Sequence, residues 1–127
     1  MLAPNDETVK PAWLDALFAS IDAKDTDTFA SFLADDSVFV FGNAEPVHGR
    51  QAIHQMVEGF LQSIAGIEHH IIEGWEHPAS VICRGTVTYT RHNGTKLSVP
   101  FANVFKMKGD KIREYLVYVD ISTLYTA

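Results

Sequence analysis

The chain has 127 residues, of which 46% are hydrophobic and 20% are charged, so it suffices for one globular domain with one core. Its formal net charge of −6 argues against nucleic acid as a partner, because a nucleic-acid-binding surface usually carries a basic stripe that neutralises phosphates. The single cysteine, Cys83, can form neither an internal disulfide nor a cysteine-based metal site, and we expect no cofactor.

The amino-terminal residues have no basic start followed by an apolar run, which is the pattern of a signal peptide. No apolar stretch of the chain approaches the roughly 20 residues that a membrane-spanning helix needs. We therefore expect a cytoplasmic protein that does not use a membrane as a partner.

Two helices are predicted at the start of the chain. The first has apolar side chains at the spacing of one helical face, with Pro11 near its start, namely Trp13, Leu14, Leu17, Phe18 and Ile21. Asp25 is a good N-cap for a second, short helix. That helix should present Phe29, Phe32 and Leu33 and end at the pair of aspartates 35 and 36.

A short strand and a third helix follow. Residues 37–41 are β-branched and aromatic and predict a strand, which the turn-forming residues 42–46 end. The third helix is predicted from Gly49 to about Ile64, with Gly66 placed to end it. Its apolar stripe consists of Ile53, Met56, Val57, Phe60, Leu61 and Ile64.

Four strands are predicted in the rest of the chain, over residues 67–75, 81–90, 97–108 and 112–119. Asn93-Gly94 and Gly109-Asp110 predict tight turns between consecutive strands. Helices followed by an antiparallel meander indicate an α+β fold, in a single domain over residues 1–127, rather than an alternating α/β fold.

Three stretches in this order resemble the SnoaL-like group of the NTF2-like superfamily. They are Phe32-Leu33-Ala34-Asp35-Asp36-Ser37-Val38, the segment 47–53 around Gly49, and the segment 103–120 that closes on Tyr118-Val119-Asp120. The resemblance implies a cone-shaped, cystatin-like roll, in which the N-terminal helices pack on a curved antiparallel sheet around an apolar pocket. Because one fold of this kind hosts many activities, it does not by itself name the reaction.

The resemblance also implies catalytic positions, most of which hold the wrong residue here. The base, tyrosine and oxyanion-binding aspartate of the ketosteroid isomerases correspond to Phe41, Leu17 and Asn103. Phenylalanine and leucine cannot exchange protons, whereas the amide of Asn103 can still donate a hydrogen bond to an oxyanion. Isomerisation by the mechanism of those enzymes is therefore not expected.

The limonene-epoxide hydrolases use an arginine and two aspartates, whose positions correspond to Arg84, Thr86 and Val117. Only the arginine is kept, so that activity is not expected either. The SnoaL-like polyketide cyclases rely on an acidic residue in the pocket, for which Asp120 is the nearest candidate by motif.

Arg84, Asn103 and Asp120 are thus the candidate catalytic residues. If the face of Ile82, Arg84 and Thr86 is the concave one, as the resemblance implies, Arg84 binds a carboxylate or enolate of the ligand; otherwise it pairs with Glu73, Glu76 or Asp120, or reaches solvent. Asn103 is the polar exception in an otherwise apolar row and must be satisfied by ligand, water or backbone. Asp120 either transfers a proton or caps the chain locally.

The candidate ligand-binding residues are mostly aromatic and indicate a small apolar ligand, although each is also a plausible core residue. His48 is included as a general base at the pocket mouth, the alternative being an exposed loop histidine. The full set is Trp13, Phe39, Phe41, His48, Met56, Phe60, Phe101 and Val117. The adjacent His69 and His70 point to opposite faces of a strand and do not predict a metal site.

Two functions stay open at this point. One is a cyclase, isomerase or hydrolase that acts on a small, mostly hydrophobic, oxygen-bearing molecule. The other is a ligand-binding or structural domain without catalysis, because the catalytic carboxylates of the related enzymes are missing. Val87, Tyr89, Leu116 and Tyr118 are predicted on the outer face of the sheet, where they favour a homodimer.

Overall fold

The computed structural model describes residues 10–125. Its elements, in chain order, are α1 (Ala12–Asp22), α2 (Thr26–Ala30), β1 (Leu33–Phe41), β2 (Val47–His48), α3 (Arg50–Gln62), β3 (Gly66–His77), β4 (Ser80–Thr90), β5 (Lys96–Lys108) and β6 (Lys111–Val119). Among these residues no helix has both the length and the apolar character needed to cross a membrane.

The three helices form where the sequence predicts them, but α2 is shorter than predicted. Its N-cap is Asp25, whose carboxylate accepts hydrogen bonds from the backbone N–H and the hydroxyl of Thr28 at 3.2 and 2.6 Å. The chain leaves the helix after Ala30 because Leu33 already pairs with Ile112 in the sheet. The apolar residues 32 and 33 therefore belong to the entry of β1 and not to a helical face.

The strands form one six-stranded sheet in the order β2-β1-β6-β5-β4-β3. Strands β3 to β6 are the predicted antiparallel meander, with turns at the predicted places. Strand β1 pairs parallel with β6, as Phe39 opposite Tyr115 shows, and the two-residue β2 extends that edge. The α+β fold is thus confirmed, and the parallel pair is a feature that the sequence pattern did not predict.

A bulge in β3 bends the sheet around the helices. The register between β3 and β4 shifts between Ile71 and Glu73, opposite Gly85. A Cβ atom at position 85 would lie 2.0 Å from the carbonyl oxygen of His70, so only glycine fits there. Bulges increase local bending and twist, and this one curves the long edge strand toward α1.

The core lies between the concave face of the sheet and the helices. In β4 the inward row is Val81, Cys83, Gly85, Val87 and Tyr89, while the alternate residues face outward. The row that contains Arg84 is the convex one, so the alternative that the sequence left open for this row applies. The expectation that Val87 and Tyr89 lie on the outer surface is wrong, because both face the interior.

Candidate active site

An apolar cavity lies between α3 and the concave face of the sheet and has a volume of about 50 Å³. Its walls are almost entirely hydrocarbon and aromatic rings, and its polar groups come from four residues: His69, Tyr89, Asn103 and Tyr115. The apolar lining consists of Ile21, Phe29, Phe39, Phe41, Met56, Val57, Phe60, Leu61, Ile67, Val87, Phe101, Val117 and Val119. Among residues 10–125 no lysine, arginine or carboxylate lines the cavity, so the cavity suits an uncharged group.

His69 is held by Asp22, the last residue of α1. The ring nitrogen Nδ1 lies 2.6 Å from Asp22 Oδ1, and the backbone N–H of His69 donates to Asp22 Oδ2 at 3.0 Å. The ring packs between Phe18 and Phe101, with centroid separations of 4.6 and 5.3 Å. The imidazole is therefore fixed in position and orientation by one carboxylate and two aromatic rings.

This arrangement determines the chemistry of the imidazole. An ionised carboxylate can only accept hydrogen bonds, so Nδ1 carries the proton and Nε2 of the neutral ring is the acceptor. A carboxylate that orients an imidazole also stabilises the imidazolium that forms when Nε2 takes a proton. His69, which lines the cavity, is thus equipped as a general base and, once protonated, as a general acid.

The sequence argument missed the pair of His69 and Asp22. The two residues lie 47 positions apart, on a strand and on a helix end, and no short spacing rule joins them. The available signals were weaker: an aspartate at the end of a predicted amphipathic helix, and a histidine in the inward row of β3, with four other elements between the two.

Asn103 lies on β5 with 2% of its surface exposed, and it lines the cavity. Its Oδ1 has no hydrogen-bond partner among residues 10–125. A buried polar atom without a partner costs about 1–3 kcal/mol of folding stability. Such atoms are therefore rare in proteins, and each one calls for an explanation, such as a role in function. The structure therefore places an amide oxygen without a partner beside the cavity, on the apolar row where the sequence predicts Asn103.

Two tyrosines add hydroxyl groups to the cavity wall. Burial raises the pKa of Tyr115 well above its ordinary value, and the nearby Cys83 and Asp22 raise it further. Burial also raises the pKa of Tyr89, with a smaller contribution from Tyr125. Both phenols therefore stay neutral at physiological pH and can donate a hydrogen bond to a ligand.

Six of the predicted ligand-binding residues line the cavity: Phe39, Phe41, Met56, Phe60, Phe101 and Val117. The other two do not. Trp13 packs edge-to-face on Phe105 at 5.5 Å and against Phe32, away from the cavity. His48 lies exposed on β2, which corrects its assignment to the pocket mouth.

Arg84 and Asp120 also lie outside the cavity, which corrects both assignments. Arg84 is on the convex face, where its Nε donates to Glu73 Oε1 at 2.6 Å, one of the alternatives that the sequence left open. Asp120 is exposed just after β6, and its Oδ1 accepts from the backbone N–H of Ser122 at 2.9 Å. Hydrogen bonds from Ser122 lower the pKa of Asp120, so this carboxyl is a local turn cap and not a proton donor.

Neither thiol nor metal chemistry is supported by the described residues. Cys83 is fully buried, and burial raises the pKa of its thiol to about 12, so the nucleophilic thiolate does not form at physiological pH. Among residues 10–125 no group of three or more histidine, cysteine or carboxylate side chains is placed to hold a metal ion.

Solved structures share this fold at low sequence identity. A hypothetical protein of Catenulispora acidiphila with a ketosteroid isomerase-like fold, solved in complex with trimethylamine, superposes with a TM-score of 0.84 at 17% identity, over 93% of this chain and 92% of that chain. TerC, co-crystallised with polyporic acid, gives a TM-score of 0.76 at 18% identity over 89% and 92% of the two chains. An LEH-like epoxide hydrolase of M. tuberculosis gives 0.74 at 18% identity over 89% and 84%.

These likenesses establish the NTF2-like fold and do not transfer an activity. Comparison with curated proteins finds no sequence match. The sequence itself matches one family, described as the SnoaL-like domain, over residues 14–115. With this match over most of its length, the chain belongs to the SnoaL-like domain family.

Proposed function

We propose that this domain binds a small, mostly apolar, oxygen-bearing molecule in its concave cavity and moves a proton on it, with His69 as the base. One observation carries the proposal: the imidazole of His69, which lines the apolar cavity, is fixed by Asp22 at 2.6 Å. Histidine is the side chain that enzymes most often use as a general base.

The reaction class that suits this site is proton transfer beside a carbonyl group. Nε2 of His69 removes a proton from the carbon next to the carbonyl, and Asp22 stabilises the resulting imidazolium. The negative charge moves to the carbonyl oxygen, where the Asn103 amide and the neutral Tyr115 hydroxyl are available as donors. In an isomerisation His69 then returns the proton to another carbon. In an aldol cyclisation the enolate carbon attacks a second carbonyl, and the alkoxide that forms takes the proton from His69.

The known ligands of related structures support a small-molecule role. The Catenulispora protein was solved with trimethylamine and TerC with polyporic acid, so the same fold accommodates small organic molecules in other chains. The aromatic lining of the present cavity supports an apolar ligand, and the absence of charged lining residues supports a neutral one.

The test is solvent deuterium exchange at the α-carbons of two small ketones, acetone and cyclopentanone, followed by NMR. We expect the wild type to catalyse exchange and His69→Ala to lose it. His70→Ala is the matched control, because His70 is the neighbouring residue but is exposed on the other face. Exchange that persists in His69→Ala, or that is lost equally in His70→Ala, would show that His69 is not the base.

A second candidate, binding without turnover, is favoured by the small volume of the cavity. About 50 Å³ holds only a few water molecules, so the domain could also be a binding or structural module whose side chains nearly fill its interior. Saturable ketone binding without exchange in the wild type would support this candidate over catalysis.

We further propose a homodimer that forms through the convex face of the sheet. That face presents Trp75, Ile82, Val104, Leu116 and Tyr118, of which Ile82 is 41% and Tyr118 57% exposed. Such an apolar patch on a small domain is typical of an interaction surface. Sedimentation of the wild type and of Ile82→Glu at micromolar concentration tests it; a wild type that is entirely monomeric would exclude the dimer. A cytoplasmic location stays a prediction.

A further inference from the structure

The residues that line the cavity differ in how deeply they are buried. The far wall is fully enclosed, with Phe39 and Phe101 each at 5% exposure and Tyr115 at 2%. Five of the described lining residues are phenylalanines, and of these only Phe41 and Phe60 are partly buried. The other partly buried lining residues are Met56, Ile67, His69, Val117 and Val119. The two rings are therefore among the residues at the less enclosed side of the cavity.

The two rings contact each other. Phe41 is the last residue of β1 and Phe60 lies in the last turn of α3, and their ring centroids are 5.1 Å apart. Each ring also rests on a deeper one: Phe41 stacks on Phe39 at 6.3 Å, and Phe60 meets Tyr89 edge-on at 6.0 Å. The contact between Phe41 and Phe60 therefore joins the helix layer to the sheet at the solvent side of the cavity.

The cavity behind the two rings is too small for most metabolites. Pockets that bind drug-sized ligands have volumes of about 300–1,000 Å³, far above the roughly 50 Å³ found here. A fully buried ring cannot turn without disturbing close-packed neighbours, whereas a partly exposed ring can adopt another rotamer toward solvent. Enlargement of the cavity therefore costs least at Phe41 and Phe60.

We propose that Phe41 and Phe60 form an aromatic gate that sets the size of the molecule admitted to the cavity. This inference rests on the proposed function only in that the cavity receives a ligand; it does not depend on His69 as a base. With the gate closed, the cavity takes molecules of a few heavy atoms. With either ring turned outward, a larger apolar molecule reaches the aromatic far wall.

The experiment compares the binding of a neutral fluorescent probe, N-phenyl-1-naphthylamine, to the wild type, Phe41→Ala, Phe60→Ala and Phe32→Ala. Phe32 is the matched control because it is a partly buried phenylalanine in an aromatic pair with Trp13, outside the cavity lining. We expect both gate variants to bind the probe about tenfold more tightly than the wild type, and Phe32→Ala to match the wild type.

Thermal unfolding of all four proteins separates an opened gate from a loosened core. If Phe32→Ala gains as much probe binding as the gate variants at similar loss of stability, or if neither gate variant gains any, the gate does not exist. Phe60→Leu keeps a smaller apolar side chain and replaces the alanine variant if that variant fails to fold. We expect its probe affinity to lie between those of the wild type and Phe60→Ala.

Failure of the gate and failure of the proposed function are distinguishable. Probe binding that rises in the gate variants while no variant exchanges ketone protons would support the gate and contradict catalysis. Ketone exchange that depends on His69, combined with unchanged probe binding in the gate variants, would support catalysis and contradict the gate.

Discussion

The carboxylate of Asp22 accepts one hydrogen bond from the ring Nδ1 of His69 and another from its backbone N–H. One side chain at the end of a helix thus fixes both the strand position and the tautomer of a histidine in the cavity wall. The same contact satisfies a backbone N–H on the edge strand of the sheet, so the pair has a structural as well as a chemical role.

Replacement of Asp22 by asparagine should keep an acceptor near Nδ1 but remove the charge that stabilises the imidazolium. We expect the rate of ketone proton exchange to fall by about a hundredfold or more, while the protein stays folded. The control is Asp27→Asn, which disrupts the pair of His54 and Asp27, whose atoms lie 2.7 Å apart. An equal loss of rate in both variants would argue against a specific role of Asp22.

Replacement of Asn103 by leucine should separate stability from function. The Oδ1 atom of Asn103 is buried without a partner among the described residues. We therefore expect the leucine variant to have a free energy of unfolding about 1 kcal/mol higher, and to unfold at a higher urea concentration. Ketone exchange should decrease at the same time, because a donor for the oxyanion is lost. A variant that is less stable and equally active would contradict both parts.

The buried thiol predicts a pH dependence of stability. Burial raises the pKa of Cys83 from 9.0 to about 12, so its contribution to stability is fully present below pH 9 and is lost as the pH rises toward 12. Burial acts in the same direction on Tyr89 and Tyr115. Urea unfolding at pH 7 and above pH 9 should show this loss, and Cys83→Ala should reduce it without abolishing it.

The same burial predicts that the native thiol is inert. A disulfide reagent such as DTNB at pH 8 should label Cys83 only at the rate of unfolding, and at once in concentrated urea. Rapid labelling of the native protein would mean that the interior between β4 and the helices opens far more readily than the structure implies.

Gly85 should not tolerate even one methyl group. A Cβ atom there would lie 2.0 Å from the His70 carbonyl oxygen, and a backbone atom cannot move aside as a flexible side chain can. We expect Gly85→Ala to lower the free energy of unfolding by about 3 kcal/mol or more. Gly59→Ala is the control: nothing lies within 4 Å of its Cβ position on α3, and alanine in a helix should stabilise by about 1 kcal/mol.

The helices and most strands could be predicted because their signals are local. The apolar stripe of α3 is formed by residues close together in the sequence, and so is the Asn93-Gly94 turn. The structure has the helix and the turn at those places. The parallel pairing of β1 with β6 could not be predicted from such signals, since it joins distant segments whose side-chain patterns fit either direction.

The orientation of β4 shows why the candidate site was predicted only in part. Its outward row contains Ile82 and its inward row contains Gly85, so hydrophobicity alone does not tell the faces apart. On β5 the two faces differ more clearly in hydrophobicity, and Asn103 lies in the inward row, where the sequence predicts it. The His69–Asp22 contact depends on how α1 lies against the curved edge of the sheet, which is a tertiary relationship with no trace in spacing.

The parallel pair of β1 and β6 also has a consequence for the order in which the protein assembles. Phe39 and Phe41 reach the cavity wall only when β1 docks on Tyr115 and Val117, far along the chain. Contacts between such distant segments carry a large loop-closure cost and usually form late in folding. A molecule held in the cavity would therefore mainly lower the unfolding rate. It would lengthen the lifetime of the native state rather than speed its formation.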